Sequence, residues 1–300
     1  MRLLLKDRSL ELRSGEPLIM GIVNIGSDSV ADPLSLDSLD AQVEFALRQN
    51  DAGAHILDIG VQSGRTDTAV LPQEQEIERL VPLVRALAVR ELVVSVDTWR
   101  AGVAAAAIEA GAALINDVGG LMDEQLADIV GAAGAGLVVM HTHAAPKQEH
   151  FPAYKDATVD VLAFLEQRMQ LALSRGVARE QVIVDPGLDY AKTPQESIEV
   201  LRRLGELQQL DRPILLAVSR KYFIGMLTGA PPDERLAGTL AAVEYGVGAG
   251  AHIVRVHDVA QAAEFLRVRG ALRGQGTVRL DGDPDDETLK WLAPKRALER

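Results

Sequence analysis

Eight apolar runs in this sequence end on, or just before, a residue that can bind or react. These are Asn24, Asp58, Asp97, Asn116 with Asp117, His141, Asp185, Ser219-Arg220-Lys221, and Arg255 with His257. Carboxylates and amides offer paired acceptors and donors, which suits a flat, nitrogen-rich heterocycle. Arg255, His257 and Asn24 together suit an anion, since a guanidinium presents a planar fork to phosphate or carboxylate oxygens. Asp58 is open to a second reading, because an Asp inside a strand can also point into the core and tie down backbone groups. A single Asp or Asn after a strand is ordinarily a turn or capping residue. Its recurrence along the chain makes the set a candidate site.

The runs that carry these residues are 18 to 24, 55 to 60, 92 to 98, 114 to 118, 137 to 141, 182 to 187, 214 to 220 and 252 to 258. Each is rich in Val, Ile and Leu and is followed by a helical pattern such as SLDAQVEFALRQNDAGA or AGVAAAAIEAGAA, both closing on small residues and Gly. Nearly continuous apolar strands alternating with helices imply a parallel sheet covered on both faces. Eight such units in one α/β domain predict a (β/α)8 TIM barrel, with an open doubly wound sheet as the rival. No GxGxxG follows the first strand to favour that rival. In a barrel, the polar residues above form one rim at the C-terminal ends of the strands. Residues 2–17 read as a short N-terminal hairpin plugging the barrel's bottom. The barrel domain is expected to occupy 1–275, with a polar C-terminal tail over 276–300 whose acidic stretch 281–287 is solvated.

Composition narrows the function. The chain has 300 residues, is 47% hydrophobic and carries a net charge of −12 with no Cys. It lacks the basic stripe of a nucleic-acid binder and any apolar run long enough to cross a membrane. Without Cys, disulfides, thiolate metal sites and Cys nucleophiles are excluded. No N-terminal segment reads as a signal peptide, so a cytoplasmic protein is expected.

Taken in order, the motifs MGIVN, ILDIG with Ser63 and Arg65, SVDT, LINDV, VMH, VDPG with Lys192-Thr193, SRK, ERLAGTLAA and RVHDV resemble the dihydropteroate synthases, in the pterin-binding barrel superfamily. The resemblance runs from about Leu18 to Val259. It implies a transferase of folate biosynthesis that joins 6-hydroxymethyl-7,8-dihydropterin pyrophosphate to p-aminobenzoate. It assigns the pterin pocket to Asp97, Asn116, Met140, Asp185 and Lys221, with Tyr190 covering a ring face. It assigns the pyrophosphate to Asn24, Arg255 and His257, with Asn24 reaching a Mg2+ cofactor. Ser63, Arg65 and Arg220 complete the binding set. Asp32 and Asp97 would stabilise the pterin cation, and Lys221 joins them as a catalytic residue. A homodimer through the outer helices of the later units is also implied, with ERLAGTLAAVEYGVGAGA packing there.

The chain departs from the family pattern on the arylamine side. The first loop, in family members Asn-Val-Thr-Pro-Asp-Ser-Phe-Ser-Asp-Gly-Gly, keeps Asn24, Asp28, Ser29 and Asp32. It has Gly26-Ser27 for Thr-Pro, Val30 for Phe and Pro33-Leu34 for the Gly pair. Gly64 and Thr66 replace a Thr and a Pro in the second loop, Tyr222 replaces a Ser, and Ala217 replaces a Gly. Asp189 and Ala191 stand in the Gly positions of Gly-Ile-Gly-Phe-Gly-Lys-Thr. Two alternatives therefore stay open: a paralogue that keeps the pterin pocket but uses another nucleophile or only binds, and a pterin-dependent methyltransferase barrel working with a corrinoid partner. His141 and His143 look like a metal pair, yet positions i and i+2 at a strand end diverge or enter a loop, so no dedicated zinc site is expected.

Overall fold

The computed structural model describes residues 1–26, 36, 38–62, 69–275 and 282. Strands β1 (Arg2–Leu5) and β2 (Arg8–Glu11) pair antiparallel. There follow β3 (Leu18–Asn24), α1 (Leu39–Asp51), β4 (Ile56–Gly60), α2 (Gln73–Ala88), β5 (Val94–Asp97), α3 (Ala101–Ala110), β6 (Leu114–Asp117), α4 (Gln125–Ala133) and β7 (Gly136–Met140). The chain continues through α5 (Ala157–Ser174), β8 (Val182–Asp185), α6 (Pro194–Arg202), β9 (Leu215–Leu216), α7 (Tyr222–Thr228), α8 (Leu236–Gly248), β10 (Ile253–Val256) and α9 (Val259–Arg273). Strands β3 to β10 form one parallel sheet in the order β8-β7-β6-β5-β4-β3-β10-β9. Its two ends meet through a parallel bridge between Val184 and Ile214, with the Val184 amide donating to the Pro213 carbonyl at 2.9 Å. The sheet thus closes into the (β/α)8 barrel, and the open-sheet alternative falls away.

Helix ends follow local chemistry. The Ser38 hydroxyl accepts from the Ala41 amide to start α1. Thr193 and Glu196 form a reciprocal capping box at the start of α6, with Pro194 in its first turn.

Side chains on a strand alternate between faces, so every second residue points into the barrel. One set, Met20, Ile56, Leu114, Val138, Ile183, Leu215 and Ile253, packs against Leu3, Leu5 and Leu12 of the N-terminal segment. Their neighbours Ile19, Leu57, Ile115, Val139, Val184, Leu216 and Val254 belong to the larger core between sheet and helices. The hairpin therefore closes the bottom of the barrel, as the sequence suggested. Two residues further along the same inward face stand Asp58, Asn116, Met140, Asp185 and Arg255, so the polar rim is the next layer of the same interior.

The seventh apolar run differs from expectation. Only Leu215–Leu216 is strand; the chain then turns, with Arg220 in the left-handed region at φ 58. That turn is held by the Arg220 amide donating to Thr239 Oγ1 at 3.0 Å and by Arg235 Nη1 donating to the Arg220 carbonyl at 2.9 Å. Leaving the strand early puts Lys221 at the N-terminal cap of α7. Among the described residues, no helix is long and apolar enough to cross a membrane.

Candidate active site

Asp58 is the hub of the rim. Fully buried, it accepts from Ser95 Oγ at 2.5 Å, Asn116 Nδ2 at 3.0 Å and Arg255 Nε at 2.6 Å. These partners are side chains, not the backbone groups of the second reading left open for it in the sequence. Arg255 spans the barrel mouth, because its Nη2 also donates to Asp97 Oδ2 at 2.9 Å. Burial works against the Arg255 charge, but the two carboxylates outweigh it and hold the guanidinium above its usual range. Asp97 moves the other way. Burial pushes it up to about 7, Arg255 pulls it down, and the carboxylates of Asp58, Glu76 and Asp117 push it up again.

Asn24 completes this corner. A Cβ added to Gly60 would lie 3.1 Å from Asn24 Oδ1 and 3.7 Å from Asp97 Cβ, so the bare glycine brings the amide and carboxylate side by side. His257 Nδ1 lies on Ser219 Oγ at 2.9 Å. Burial, then the charges of Arg220 and Arg255, push His257 down to about 3, so it is a neutral imidazole at physiological pH. Arg220 lies beside His257, with Nη2 and Nε donating to Asp258 at 2.7 and 3.2 Å.

Across the mouth, Asn116, Met140, Asp185, Tyr190, Lys221 and Arg255 line one narrow cleft. Burial raises Asp185, against the Gly187 amide and the Lys221 and Lys192 charges. Burial lowers Lys221, against Asp189 and Asp185, and its ammonium lies 4.4 Å from the Tyr190 ring centre. Gly187 makes this corner possible. At φ 62, a Cβ there would stand 2.0 Å from the His141 carbonyl oxygen. A wider cavity of about 380 Å³, bounded by Trp99, Phe151 and Asp189, opens beside the cleft and shares Val118, Tyr190 and Lys221 with it.

The cleft thus joins six of the residues singled out in the sequence; Asp97 adjoins it through Arg255, Asn24 lies beside Asp97 at Gly60, and His257 is held on Ser219. Arg220 stands at the edge on Asp258. Asp32, Ser63 and Arg65 lie outside the described residues, as do Val30, Gly64 and Thr66.

Glu76 escaped sequence reasoning, as did the partners of Lys192 and Asp189. Glu76, nearly fully buried, accepts from Gln62 Nε2 at 2.6 Å, Arg100 Nη1 at 2.8 Å and Thr98 Oγ1 at 3.2 Å beneath Asp97. It falls in helical phase with Leu80, Leu83 and Leu87, a signal that was there to read. Lys192, also buried, donates to the carbonyls of Gly187 at 2.9 Å and Tyr190 at 3.1 Å and contacts His141 Nδ1 at 2.6 Å. Asp189 pins the start of α7. Its Oδ2 accepts from the amides of Tyr222 and Phe223 at the start of α7, while Asp189 itself sits at φ 64.

Comparison with known proteins bears on this constellation. The family model described as "Pterin binding enzyme" matches residues 20–257. The dihydropteroate synthase of Bacillus subtilis is 38% identical over 264 residues, spanning 87% of this chain and 90% of that one. This chain belongs to the dihydropteroate synthase family. The Escherichia coli K12 family member is 34% identical over 270 residues, or 89% of this chain and 95% of that one. Among solved family structures, the Yersinia pestis synthase in a sulfonamide drug complex superposes with a TM-score of 0.85 at 33% identity, covering 91% of this chain and 99% of that one. The Xanthomonas albilineans synthase in complex with 7,8-dihydropteroate gives 0.82 at 34% identity, covering 92% and 100%.

Proposed function

We propose that the protein is a dihydropteroate synthase, joining 6-hydroxymethyl-7,8-dihydropterin pyrophosphate to p-aminobenzoate with release of pyrophosphate and 7,8-dihydropteroate. The observation that carries this reading is the meeting of Asn116, Asp185, Lys221 and Arg255 on one cleft, with Asp97 bonded to Arg255. A pterin's aminopyrimidinone edge pairs with the Asn116 amide and the Asp185 carboxylate, and Lys221 donates to its ring acceptors. Met140 and Tyr190 cover the ring faces. Arg255, His257 and Asn24 face the pyrophosphate.

The bond between the exocyclic methylene and the pyrophosphate oxygen breaks, and the electron pair leaves with oxygen. Positive charge then develops on the pterin, where Asp97 and Asp32 stabilise it. The arylamine nitrogen supplies the pair for the new C–N bond and sheds a proton. Arg255 meets the substrate already holding two carboxylates, so binding redistributes its donors from Asp97 toward phosphate oxygens.

The Mg2+ implied by the family fits the donor set here. Asn24 offers a neutral amide oxygen at the mouth beside Gly60, and Mg2+ is commonly held by one or two protein oxygens plus substrate phosphates. Bound with the pyrophosphate, it supplies charge neutralisation for the leaving group. A homodimer through the later helices is supported by the exposure of Leu227 on α7, Tyr245 on α8 and Leu272 on α9. A cytoplasmic location fits its water-soluble substrates, and a single barrel domain with the tail 276–300 completes the reading.

The test is to supply the pterin pyrophosphate with Mg2+, with and without p-aminobenzoate, and to measure both products. Release of pyrophosphate that requires p-aminobenzoate and matches dihydropteroate one for one supports the assignment. Substrate binding without turnover on p-aminobenzoate overturns it in favour of the paralogue that uses another acceptor.

A further inference from the structure

His141 and His143 do not diverge as residues two apart on a strand would. Strand β7 ends at Met140, and Thr142 Oγ1 bonds both the amide and the carbonyl of Ala144 at 3.1 Å, turning the chain so that His143 folds back. His141 Nε2 and His143 Nε2 then stand 2.9 and 2.7 Å from the same oxygen, Asp160 Oδ1, in the first turn of α5. One ligand atom from each residue lies within 4.8 Å of the other two. The imidazoles are near-perpendicular, with centres 5.1 Å apart, and both are flanked by Phe164 and Tyr154. This packing fixes the rings before any ligand arrives. His141 is fully buried, whereas the His143 and Asp160 side chains are 36% and 39% exposed, leaving an entry path from solvent.

We propose that His141 Nε2, His143 Nε2 and an Asp160 carboxylate oxygen form a binding site for one zinc-class divalent cation, separate from the pterin cleft. Two imidazoles and a carboxylate, with a fourth position open to water, are the donor set of three-ligand zinc sites. Ligand atoms around a tetrahedral zinc stand about 3.3 Å apart, given bonds of about 2.0–2.1 Å, so the cluster opens by roughly half an ångström to admit the ion. Lys192 Nζ faces His141 Nδ1, which leaves Nε2 as the coordinating nitrogen.

The experiment is titration of the metal-stripped full chain with Co2+ and with Zn2+ in saturating Mg2+, reading the Co2+ ligand-field spectrum and the thermal midpoint. The expected result is one equivalent per chain, a four- or five-coordinate Co2+ spectrum displaced by Zn2+, and a raised midpoint. His143→Gln and Asp160→Asn, both at partly exposed positions, should each weaken binding at least tenfold, and His150→Gln should leave it unchanged. Absence of stoichiometric binding, or binding that His143→Gln leaves intact, overturns the proposal.

Discussion

The lower and upper halves of the barrel interior are built from the same strands on the same inward face, two residues apart, and they do opposite things. Below, Ile56, Leu114, Ile183 and Ile253 close against Leu3 and Leu5 of the hairpin in a wholly apolar layer. Above, Asp58, Asn116, Asp185 and Arg255 bring buried charge together. The lower layer stabilises by removing apolar surface from water. The upper layer costs desolvation, and its ion pairs offset that cost only while every partner is present. One step of strand pleat separates the part that holds the fold from the part that holds substrate.

The sharpest way to break this comparison is Arg255→Ala. It strands the carboxylates of Asp58 and Asp97 without their shared cation, so stability should fall by about 3–5 kcal/mol in denaturant unfolding. Turnover by the remaining folded protein should fall by about a thousandfold or more, as for lost oxyanion donors. At the bottom, Leu3→Ala should cost about 2–4 kcal/mol by leaving a cavity. There kcat/KM per folded molecule should stay within about twofold, since Leu3 packs in the apolar layer below the rim. A similar activity loss in both variants would erase the division of labour.

A pH profile sharpens the picture of the upper layer. Burial raises Asp97 to about 7 in the free protein. As pH falls through that value, the carboxylate takes a proton and the charge that stabilises the pterin cation disappears. An acid limb in kcat/KM with an apparent pKa near 7, falling about tenfold per unit below it, is expected. An Asp97→Asn variant should lose activity and the limb together.

The smallest effect is expected at Asp189→Gly. This relieves a left-handed non-glycine residue, worth roughly 1 kcal/mol, and removes the carboxylate from the Tyr222 and Phe223 amides. The KM for p-aminobenzoate should fall a few-fold while the KM for the pterin pyrophosphate stays put, because less negative charge then faces the acceptor's carboxylate.

Much of this was legible in sequence because barrel strands carry a period of two and end in the residues that matter. Asn116, Asp185 and Arg255 could be placed on one rim before any coordinates. Their partners could not. Asp58 and Arg255 are 197 positions apart and meet only once the sheet has closed. Lys192 was visible as part of a motif, but its three contacts depend on the left-handed turn at Gly187. His143 lies past the end of β7 in a loop, one of the two outcomes open in sequence, and the bond of Thr142 Oγ1 with the Ala144 amide that shapes that loop could not be read there.

The measurement that bears most directly on the central claim is calorimetric binding of 6-hydroxymethyl-7,8-dihydropterin pyrophosphate to the unaltered protein and to Asp185→Asn. If the upper layer is the pterin pocket, losing one charged acceptor for the ring edge should weaken binding by about 10–100-fold, the worth of a buried charge-assisted hydrogen bond, with little change in thermal stability. Equal affinity in the two proteins would place the pterin elsewhere and contradict the account.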